Sequence, residues 1–434
     1  MSKKLGLKEV IAMGVGGMVS GGIFAVLGVA MHQAGNAVSI SFLLAGILTL
    51  LTAYSYVKLT LYYGEEGGAF SFIEHVVKNK NFAGFFGWIL IAGYIGVMAM
   101  YSHAFGAYLA GLFNLTDTSL FRKVFSVGIV AFLIGVNLMG IKKSGYLEDI
   151  LVYIKVAFLI GISVLGVYFF HGDFPNFPQF FNKGFISPIA GFAVIFVAYE
   201  GFQLLCYDYR EIKDVERNLT KGMIISIFMA MIIYLLISFM SALYLTPRMV
   251  VQFKEYALAK AVVPFLGSFG FGLVVLTAIQ STASGINATL FGSSRLAHKI
   301  AKEKELPRVF SFRNKEGIPV YALLITGSLT AIFSVFGSLE QITEFGSVAF
   351  IIADGAANFA NLRLYRETNS HLIIPLLGFL GCVIALPIIV YHLFLTEPHI
   401  LFSIAGIFIF LLLLELLYME RNPIERVAEE IEEV

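Results

Sequence analysis

The feature that most constrains this chain is a series of apolar segments long enough to cross a membrane. A helix needs about 20 apolar residues to span the hydrocarbon of a bilayer. Twelve segments qualify, at about 9–32, 38–62, 82–113, 120–139, 147–170, 187–208, 219–245, 263–295, 319–337, 340–364, 372–395 and 398–420. Because 58% of the 434 residues are hydrophobic and only 14% are charged, no soluble domain is left over. We therefore predict an all-α polytopic membrane protein with twelve transmembrane helices in a single domain, 1–434.

The distribution of basic residues supports this count and orients the chain. With the N-terminus in the cytoplasm, 23 of the 30 lysines and arginines fall in cytoplasmic connections. Six fall outside: Arg122, Lys123, Lys183, Arg248, Lys254 and Lys260. The remaining one, Lys155, lies within a span. Basic residues concentrate on the cytoplasmic side of membrane proteins. We therefore expect a multi-pass protein of the plasma membrane with both termini in the cytoplasm.

The first span contains a stretch that is a poor continuous helix. Five glycines and a serine fall within Met13–Phe24, and each glycine weakens a helix by about 1 kcal/mol relative to alanine. A break at membrane depth is tolerated only where the backbone faces protein or a water-filled cavity. We therefore expect Ser20-Gly21-Gly22 to be an unwound binding segment.

A second weak point occurs in the sixth span, within Phe196–Gln203, where Tyr199-Glu200-Gly201-Phe202 interrupts the apolar run. Transporters built from inverted repeats place two broken helices in corresponding positions. If each repeat holds five spans, repeat one covers about 9–170 and repeat two about 187–364, and the helices at 372–420 are additions. The alternative is that the glycines only allow close helix packing.

Paired breaks suit a zwitterionic ligand. The N-terminus of a half-helix offers free N–H groups that favour a carboxylate. The C-terminus of a half-helix offers free carbonyls that favour an ammonium group. The pair therefore indicates an α-amino acid rather than a sugar or a lipid.

Two ionisable side chains in the spans are functional candidates, because such groups are costly inside a membrane. Lys155 lies about 12 Å into the fifth span at 1.5 Å per residue. Burial disfavours its charged form, so it could release and rebind a proton, or it could be a fixed structural charge. Glu200 could attract an amine, carry a proton, face water or pair with a base. Asp354, in the tenth span, remains ambiguous.

Other chemistry finds no support in the sequence. Nucleophile motifs, phosphate loops and histidines at metal-ligand spacing do not occur. We therefore expect no enzyme activity, cofactor, metal or nucleic acid partner. Cys206 and Cys382 both lie in apolar segments and are expected to be packed thiols rather than a disulfide.

Five strings resemble the amino acid–polyamine–organocation (APC) superfamily, and its amino acid permeases in particular, over nearly the whole chain. The strings are Gly14–Phe24, Ala104–Leu109, Ala198–Phe202, Arg217–Lys221, and Asn287–Arg295 together with Lys302–Pro307. In that order they are similar to the glycine-rich first helix ending in G-x-I-F, a recurring stretch of span three, the A-[FY]-x-G-F break, the R-N-I-P-[KR] string after span six, and N-G-x-L-[FY]-x-x-x-R followed by R-D-G-x-L-P. The resemblance implies the leucine-transporter-type fold, with two five-helix inverted repeats.

The resemblance also implies residue roles. The substrate carboxylate would bind N–H groups near Ser20, Gly21 and Gly22. The amino group would bind carbonyls around Val19, the Phe196-Val197-Ala198 turn and Glu200-Gly201. Lys155 matches the span-five lysine that proton-coupled members carry where sodium-coupled relatives bind sodium. Its expected neighbours are Gly16 and the hydroxyls of Ser281, Thr282 and Ser284.

The chain departs from the family pattern at Glu200, where most members carry a small or apolar residue, and at Val197, where several carry an aromatic gate. A neutral substrate would leave Glu200 unpaired if it faces the site, whereas a cationic amino acid or amine would pair with it. We expect a secondary amino acid transporter that works by alternating access with proton symport. An amino acid or amine exchanger, a polyamine transporter and a non-transporting amino acid sensor remain alternatives.

Overall fold

The computed structural model describes most of the chain, and within it every regular element is helical. The described residues are 4–65, 68–77, 80–113, 118–140, 145–172, 174 and 177–432. Four lysines counted as cytoplasmic, namely Lys3, Lys78, Lys142 and Lys143, lie outside them.

Eighteen α-helices follow one another along the described chain. In order they are α1 (Leu7–Met18), α2 (Gly22–Ala34), α3 (Val38–Tyr63), α4 (Gly68–Val77), α5 (Lys80–Leu112), α6 (Thr118–Leu138), α7 (Gly145–Tyr168), α8 (Phe177–Phe180), α9 (Ser187–Ile195), α10 (Leu204–Tyr207), α11 (Val215–Tyr244), α12 (Pro247–Phe253), α13 (Ala257–Ala261), α14 (Val263–Lys302), α15 (Val320–Phe336), α16 (Leu339–Arg363), α17 (Ile373–Thr396) and α18 (Pro398–Glu432).

Ten helical runs of the described chain are long and apolar enough to cross a membrane. The number is smaller than the predicted twelve for two physical reasons. The run Gly22–Tyr63 counts once although it holds parts of the first two predicted spans, because a 3₁₀ turn at Gly35–Ala37 joins α2 to α3 without a gap. The ninth predicted span, α15, has only 17 residues. A polytopic all-helical membrane protein is confirmed, and the count of twelve stays a prediction.

The helices divide into an inner set and an outer set. In the most apolar stretch of Ser187–Tyr207, 78% of the residues are buried, against 22% in that of Pro398–Leu417. Outer helices expose large apolar side chains, for example Phe132 on α6 and Tyr391 on α17, each 65% exposed. An exposed apolar face is what a helix bordering lipid requires. The inner helices α1, α2 and α9 are enclosed by α3, α5, α11, α14 and α16.

Several connections fold into short helices. The stretch from Thr246 to Pro264, between the seventh and eighth predicted spans, contains both α12 and α13. Thr246 caps α12, because its side chain accepts a hydrogen bond from the N–H of Met249. The connection after the second predicted span contains α4, which the sequence reading did not predict.

Candidate functional site

The first predicted break is present in the structure. Helix α1 ends at Met18 and α2 begins at Gly22, so Val19, Ser20 and Gly21 lie outside helical geometry. The hydroxyl of Ser20 donates a hydrogen bond to the carbonyl of Gly17 at 2.7 Å. The first-turn N–H groups of α2 have no intrahelical acceptor. This break therefore presents backbone donors at membrane depth.

The second predicted break is longer. Helix α9 ends at Ile195, and a 3₁₀ turn, Phe196–Tyr199, follows it. Glu200 is extended, and Gly201 has a φ of +119°, which favours glycine. The four-residue helix α10 then resumes the segment at Leu204.

The two breaks contact each other through their backbones. A Cβ atom on Gly17 would lie 2.9 Å from the carbonyl oxygen of Gly201, and one on Gly22 would lie 2.6 Å from that of Ala198. Only glycine permits so close an approach. The positions that sequence reading predicted on two distant segments are thus brought together.

Tyr234 of α11 links the two breaks. Its hydroxyl oxygen lies 2.7 Å from the carbonyl oxygen of Met18 and 2.8 Å from that of Ala198. The hydroxyl is therefore a shared hydrogen-bond donor for two carbonyls, one in each interrupted helix. Sequence reading missed this residue, although a tyrosine within an apolar run was a usable signal, because a buried hydroxyl needs a partner.

Neighbouring helices enclose the breaks. The ring of Tyr101 on α5 packs against Gly21, and Gly285 on α14 lies against Ser20. Ser281 on α14 donates a hydrogen bond to the carbonyl of Val19 at 3.0 Å. Ser347 on α16 accepts one from the N–H of Val197 at 3.1 Å.

The enclosed site has no solvent contact at its centre. Six residues of the site are each at most 1% exposed, namely Val19, Ser20, Phe196, Val197, Ala198 and Glu200. The candidate site is therefore closed to solvent in this structure.

Lys155 is buried on α7, with 4% of its surface exposed. Helix α7 packs against α1, and a Cβ on Gly16 would lie 3.0 Å from a methyl group of Val152. Thr282 bonds the carbonyl of Ala278 on its own helix at 2.7 Å. The expected contacts of Lys155 with Gly16, Ser281, Thr282 and Ser284 stay predictions.

Glu200 and Asp354 lie near each other in the protein interior. Glu200 accepts a hydrogen bond from the side-chain amide of Gln203. The hydroxyl of Tyr56 donates to Oδ1 of Asp354 at 3.1 Å. Sequence reading singled out both acids but not their proximity. Gln203 and Tyr56 were missed, because nothing local in the sequence pairs them with an acid.

A network of polar and charged side chains lies beside α2, in and around the segment that joins α12 to α13. Glu255, between α12 and α13, lies 3.0 Å from Nε2 of His103, whose Nδ1 lies 2.9 Å from Arg122. Burial opposes ionisation of Glu255, but the hydrogen bond from His103 and the positive charges of Arg122 and Lys254 outweigh it. The pKa of that carboxyl is therefore held below its ordinary value.

Both cysteines are free and buried, which confirms that they form no disulfide. Each lies within a packed segment: Cys206 in α10 beside the second break, and Cys382 in α17.

Comparisons with known proteins agree with this geometry. The family model described as amino acid permease matches residues 5–419. A Methanocaldococcus jannaschii protein with no assigned function is 28% identical over 96% of this chain and 95% of its own length. An inner membrane transport protein of Escherichia coli is 26% identical over 97% of each chain.

A third relative is named for its substrate class. A vacuolar cationic amino acid transporter of Arabidopsis thaliana is 27% identical over 81% of this chain and 62% of its own length. Because the permease model spans nearly the whole sequence, the chain belongs to the amino acid permease family of the APC superfamily.

Proposed function

We propose that the chain is a secondary active transporter that carries amino acids across the plasma membrane by alternating access, with proton symport. The observation that carries the proposal is the contact between two interrupted helices, at Gly17 and Gly201 and through the hydroxyl of Tyr234. Neither break is needed for a membrane-spanning bundle, and each exposes backbone groups that must be satisfied. A ligand of matching polarity would satisfy them.

Both charged groups of an amino acid find a counterpart here. The first turn of α2, at Ser20, Gly21 and Gly22, offers N–H groups and the positive end of the helix dipole to a carboxylate. The carbonyls of Val19 and the Phe196-Val197-Ala198 turn, with Glu200-Gly201, lie at the ends of interrupted helices and suit an ammonium group. Each carbonyl oxygen has two lone pairs, so an existing hydrogen bond leaves room for a second.

The proposed topology has twelve spans, both termini in the cytoplasm and two five-helix inverted repeats. In it α1 and α2 form the first span, and α9 with α10 forms the sixth. The two breaks then occupy the first span of each repeat. Helices α17 and α18 follow the second repeat.

Lys155 is the proposed coupling group. Its burial on α7 beside α1 supports this role, because movement of α1 would change the environment of its ammonium group. Lys155→Ala should abolish the pH dependence of uptake, whereas Lys123→Ala, in the external connection, should leave it unchanged. Uptake by Lys155→Ala that follows pH as the wild type does would contradict the coupling role.

Transport is tested with the purified full chain in proteoliposomes. Labelled amino acids should accumulate when the external side is made acidic, and a protonophore should stop accumulation. A thermal-shift screen selects the substrates to label, because a ligand that binds the native state raises its stability by RT ln(1 + [L]/Kd). The screen should include lysine and arginine, since one relative is named a cationic amino acid transporter.

Two outcomes would redirect the proposal. Uptake that requires unlabelled amino acid inside the vesicles and ignores the pH gradient would indicate an exchanger. Ligand-induced stabilisation without any flux would indicate a sensor, and no accumulation of any hit from the screen would contradict a transporter.

A further inference from the structure

A pair of carboxyl groups lies within the protein interior beside the second break. Glu200 is 1% exposed and Asp354 of α16 is 0% exposed. Tyr56, which donates to Asp354, packs its ring 5.3 Å from that of Phe202 in the second break. The Gln203 amide that donates to Glu200 also reaches Asp354. Gln203 and Tyr56, each 1% exposed, complete the cluster.

The hydrogen bonds around the two carboxyl groups show which side chains donate to them. The side-chain oxygen of Gln203 accepts from the N–H of Gly201 at 2.9 Å, so its NH₂ group must point the other way. That NH₂ group donates to Oε2 of Glu200 and faces Asp354. Tyr56 donates to Oδ1 of Asp354 at 3.1 Å.

One oxygen of each carboxyl group remains without a donor. Oε1 of Glu200 and Oδ2 of Asp354 are buried and have no hydrogen-bond partner among the described residues. An ionised carboxylate accepts hydrogen bonds on both oxygens, and leaving a buried one unsatisfied is costly. These two oxygens point to something that the pair binds.

No basic side chain of the described chain compensates the charge of the pair. The groups that face it from the surrounding helices are Tyr56 on α3, Tyr94 and Tyr101 on α5, Tyr207 on α10 and Cys382 on α17. The Tyr94 and Tyr207 hydroxyls bond each other at 2.8 Å. Two adjacent carboxylates in such surroundings cannot both be ionised without a counter-charge.

A proton fits this site better than a metal ion does. Mg²⁺ and Ca²⁺ need six or more oxygen ligands. The described residues contain no group of three or more histidine, cysteine or acidic side chains placed to hold a metal. A proton needs only one carboxylate oxygen and a second as acceptor, and the pair offers both.

We propose that Glu200 and Asp354 share a proton and form a second ionisable site of the transporter, distinct from Lys155. One carboxylate takes a proton from a hydronium ion on one side of the membrane: an O–H bond of that ion breaks, a carboxyl O–H bond forms, and a water molecule is left. The carboxyl O–H bond breaks when the proton leaves to water on the other side. The inference deepens the proposed transport function and rests on it only for the coupling step.

The site is linked to the second break through Gln203. Its amide donates to Glu200 and accepts from Gly201, the residue in contact with Gly17 of α1. Loss of the proton adds a negative charge that competes for the NH₂ group of Gln203. The protonation state of the pair therefore acts on the backbone contact between the two breaks.

Infrared spectroscopy tests the shared proton without any need for transport. Wild type and the double variant Glu200→Gln/Asp354→Asn are compared at neutral pH in lipid nanodiscs. The difference spectrum should contain the C=O band of a protonated carboxyl group, shifted in D₂O. Absence of that band would overturn the proposal. The single variant Asp354→Asn, measured the same way, replaces the double variant if the latter does not fold.

Proteoliposomes test the coupling. A pH gradient of one unit supports about tenfold accumulation for symport of one proton. Asp354→Asn should reduce this accumulation to about one while counterflow exchange of substrate continues. Glu344→Gln, a buried acid nearer the start of the same helix, should accumulate as the wild type does.

The remaining outcomes separate the two proposals. If the wild type accumulates no substrate, the transport proposal fails. The infrared result alone then shows whether Glu200 and Asp354 share a proton. If Asp354→Asn accumulates as the wild type does, the coupling role is overturned. If Glu200→Gln loses only cationic substrates and the infrared band is absent, the pair binds a substrate ammonium group and the proposal is wrong.

Discussion

The two helix breaks meet at one point but are built differently. The first, Val19–Gly21, contains no ionisable group, and neighbouring hydroxyls of Tyr234 and Ser281 hold its carbonyls. The second continues through a 3₁₀ turn to a glycine with positive φ, and it carries Glu200 beside Asp354. The uncharged backbone groups of the first break suit the carboxylate and amino groups that all amino acids share. The ionisable pair at the second break suits proton coupling. In the proposed transporter both breaks offer backbone groups to the substrate, and only the second adds an ionisable pair.

Gly201→Ala should have the largest effect on this comparison. A side chain there adopts a strained φ and meets the backbone of Gly17 at 2.8 Å. We expect a loss of about 2–6 kcal/mol from strain and overpacking together, with loss of uptake. Thermal unfolding in detergent and uptake in liposomes measure the two effects.

Gly267→Ala is the matched control for that substitution. Gly267 also has a positive φ, +58°, but no atom lies within 4 Å of the position that a Cβ would take there. It should lose only about 1–2 kcal/mol and keep transport. Equal destabilisation of the two variants would show that contact between the breaks contributes nothing.

Tyr234→Phe should have the next largest effect, because it removes the hydroxyl shared by both breaks. The carbonyls of Met18 and Ala198 share the one proton of this hydroxyl, and its loss should cost about 1–3 kcal/mol. Uptake should fall with stability. Tyr199→Phe is the control, because the hydroxyl of Tyr199 donates to the carbonyl of Phe42 at 2.8 Å and does not contact a carbonyl of the first break. A Tyr199→Phe variant that loses as much uptake would contradict the linking role.

Ser281→Ala should have a smaller effect, confined to the first break. It removes one hydrogen bond to Val19, worth about 0.5–1.5 kcal/mol. Substrate affinity should weaken while the pH dependence of uptake remains. Ser293→Ala, which removes a bond within the same helix to Leu290, should leave affinity unchanged. A changed pH profile in Ser281→Ala would contradict the proposal that the first break takes no part in proton coupling.

Glu255→Gln should have the smallest effect, on the segment between α12 and α13 that packs against α2. The folded protein lowers the pKa of Glu255, so its ionised form contributes stability above the ordinary value of 4.5. That contribution disappears as the pH falls through the lowered pKa. Because the side chain is 35% exposed, we expect only about 0.2–1 kcal/mol.

Thermal unfolding between neutral and acidic pH measures this contribution. Glu255→Gln should flatten the acidic part of the stability curve relative to the wild type. Glu316→Gln, in the exposed connection between α14 and α15, should reproduce the wild-type curve. An unchanged acidic slope in Glu255→Gln would show that His103 and Arg122 do not stabilise this carboxylate.

Sequence reading located both breaks because glycine and charge are conspicuous in apolar helices. Ser20-Gly21 and Glu200-Gly201 are interrupted as predicted, and α2 begins at Gly22. It could not find the partners of those breaks. Tyr234 and Gln203 act through contacts that depend on packing between distant segments. The proximity of Glu200 and Asp354 likewise has no local signature, because each lies in its own apolar helix.

Secondary structure outside the spans was harder to predict. Helix α4 is amphipathic and short, so it lacks the apolar length that identifies a span. The first break was predicted to within one residue of its observed position, because α2 begins at the second glycine of the Gly21-Gly22 pair. Lys155 was recognised as buried from its apolar neighbours, and its role stays a prediction.

Competition binding tests most directly whether the two breaks together recognise the amino acid backbone. Purified protein is equilibrated with a labelled amino acid and challenged with two analogues, one that lacks the α-carboxylate and one that lacks the α-amino group. The paired breaks predict that both analogues compete far more weakly than the intact amino acid. Equal competition by the analogue without a carboxylate would contradict recognition by Ser20, Gly21 and Gly22.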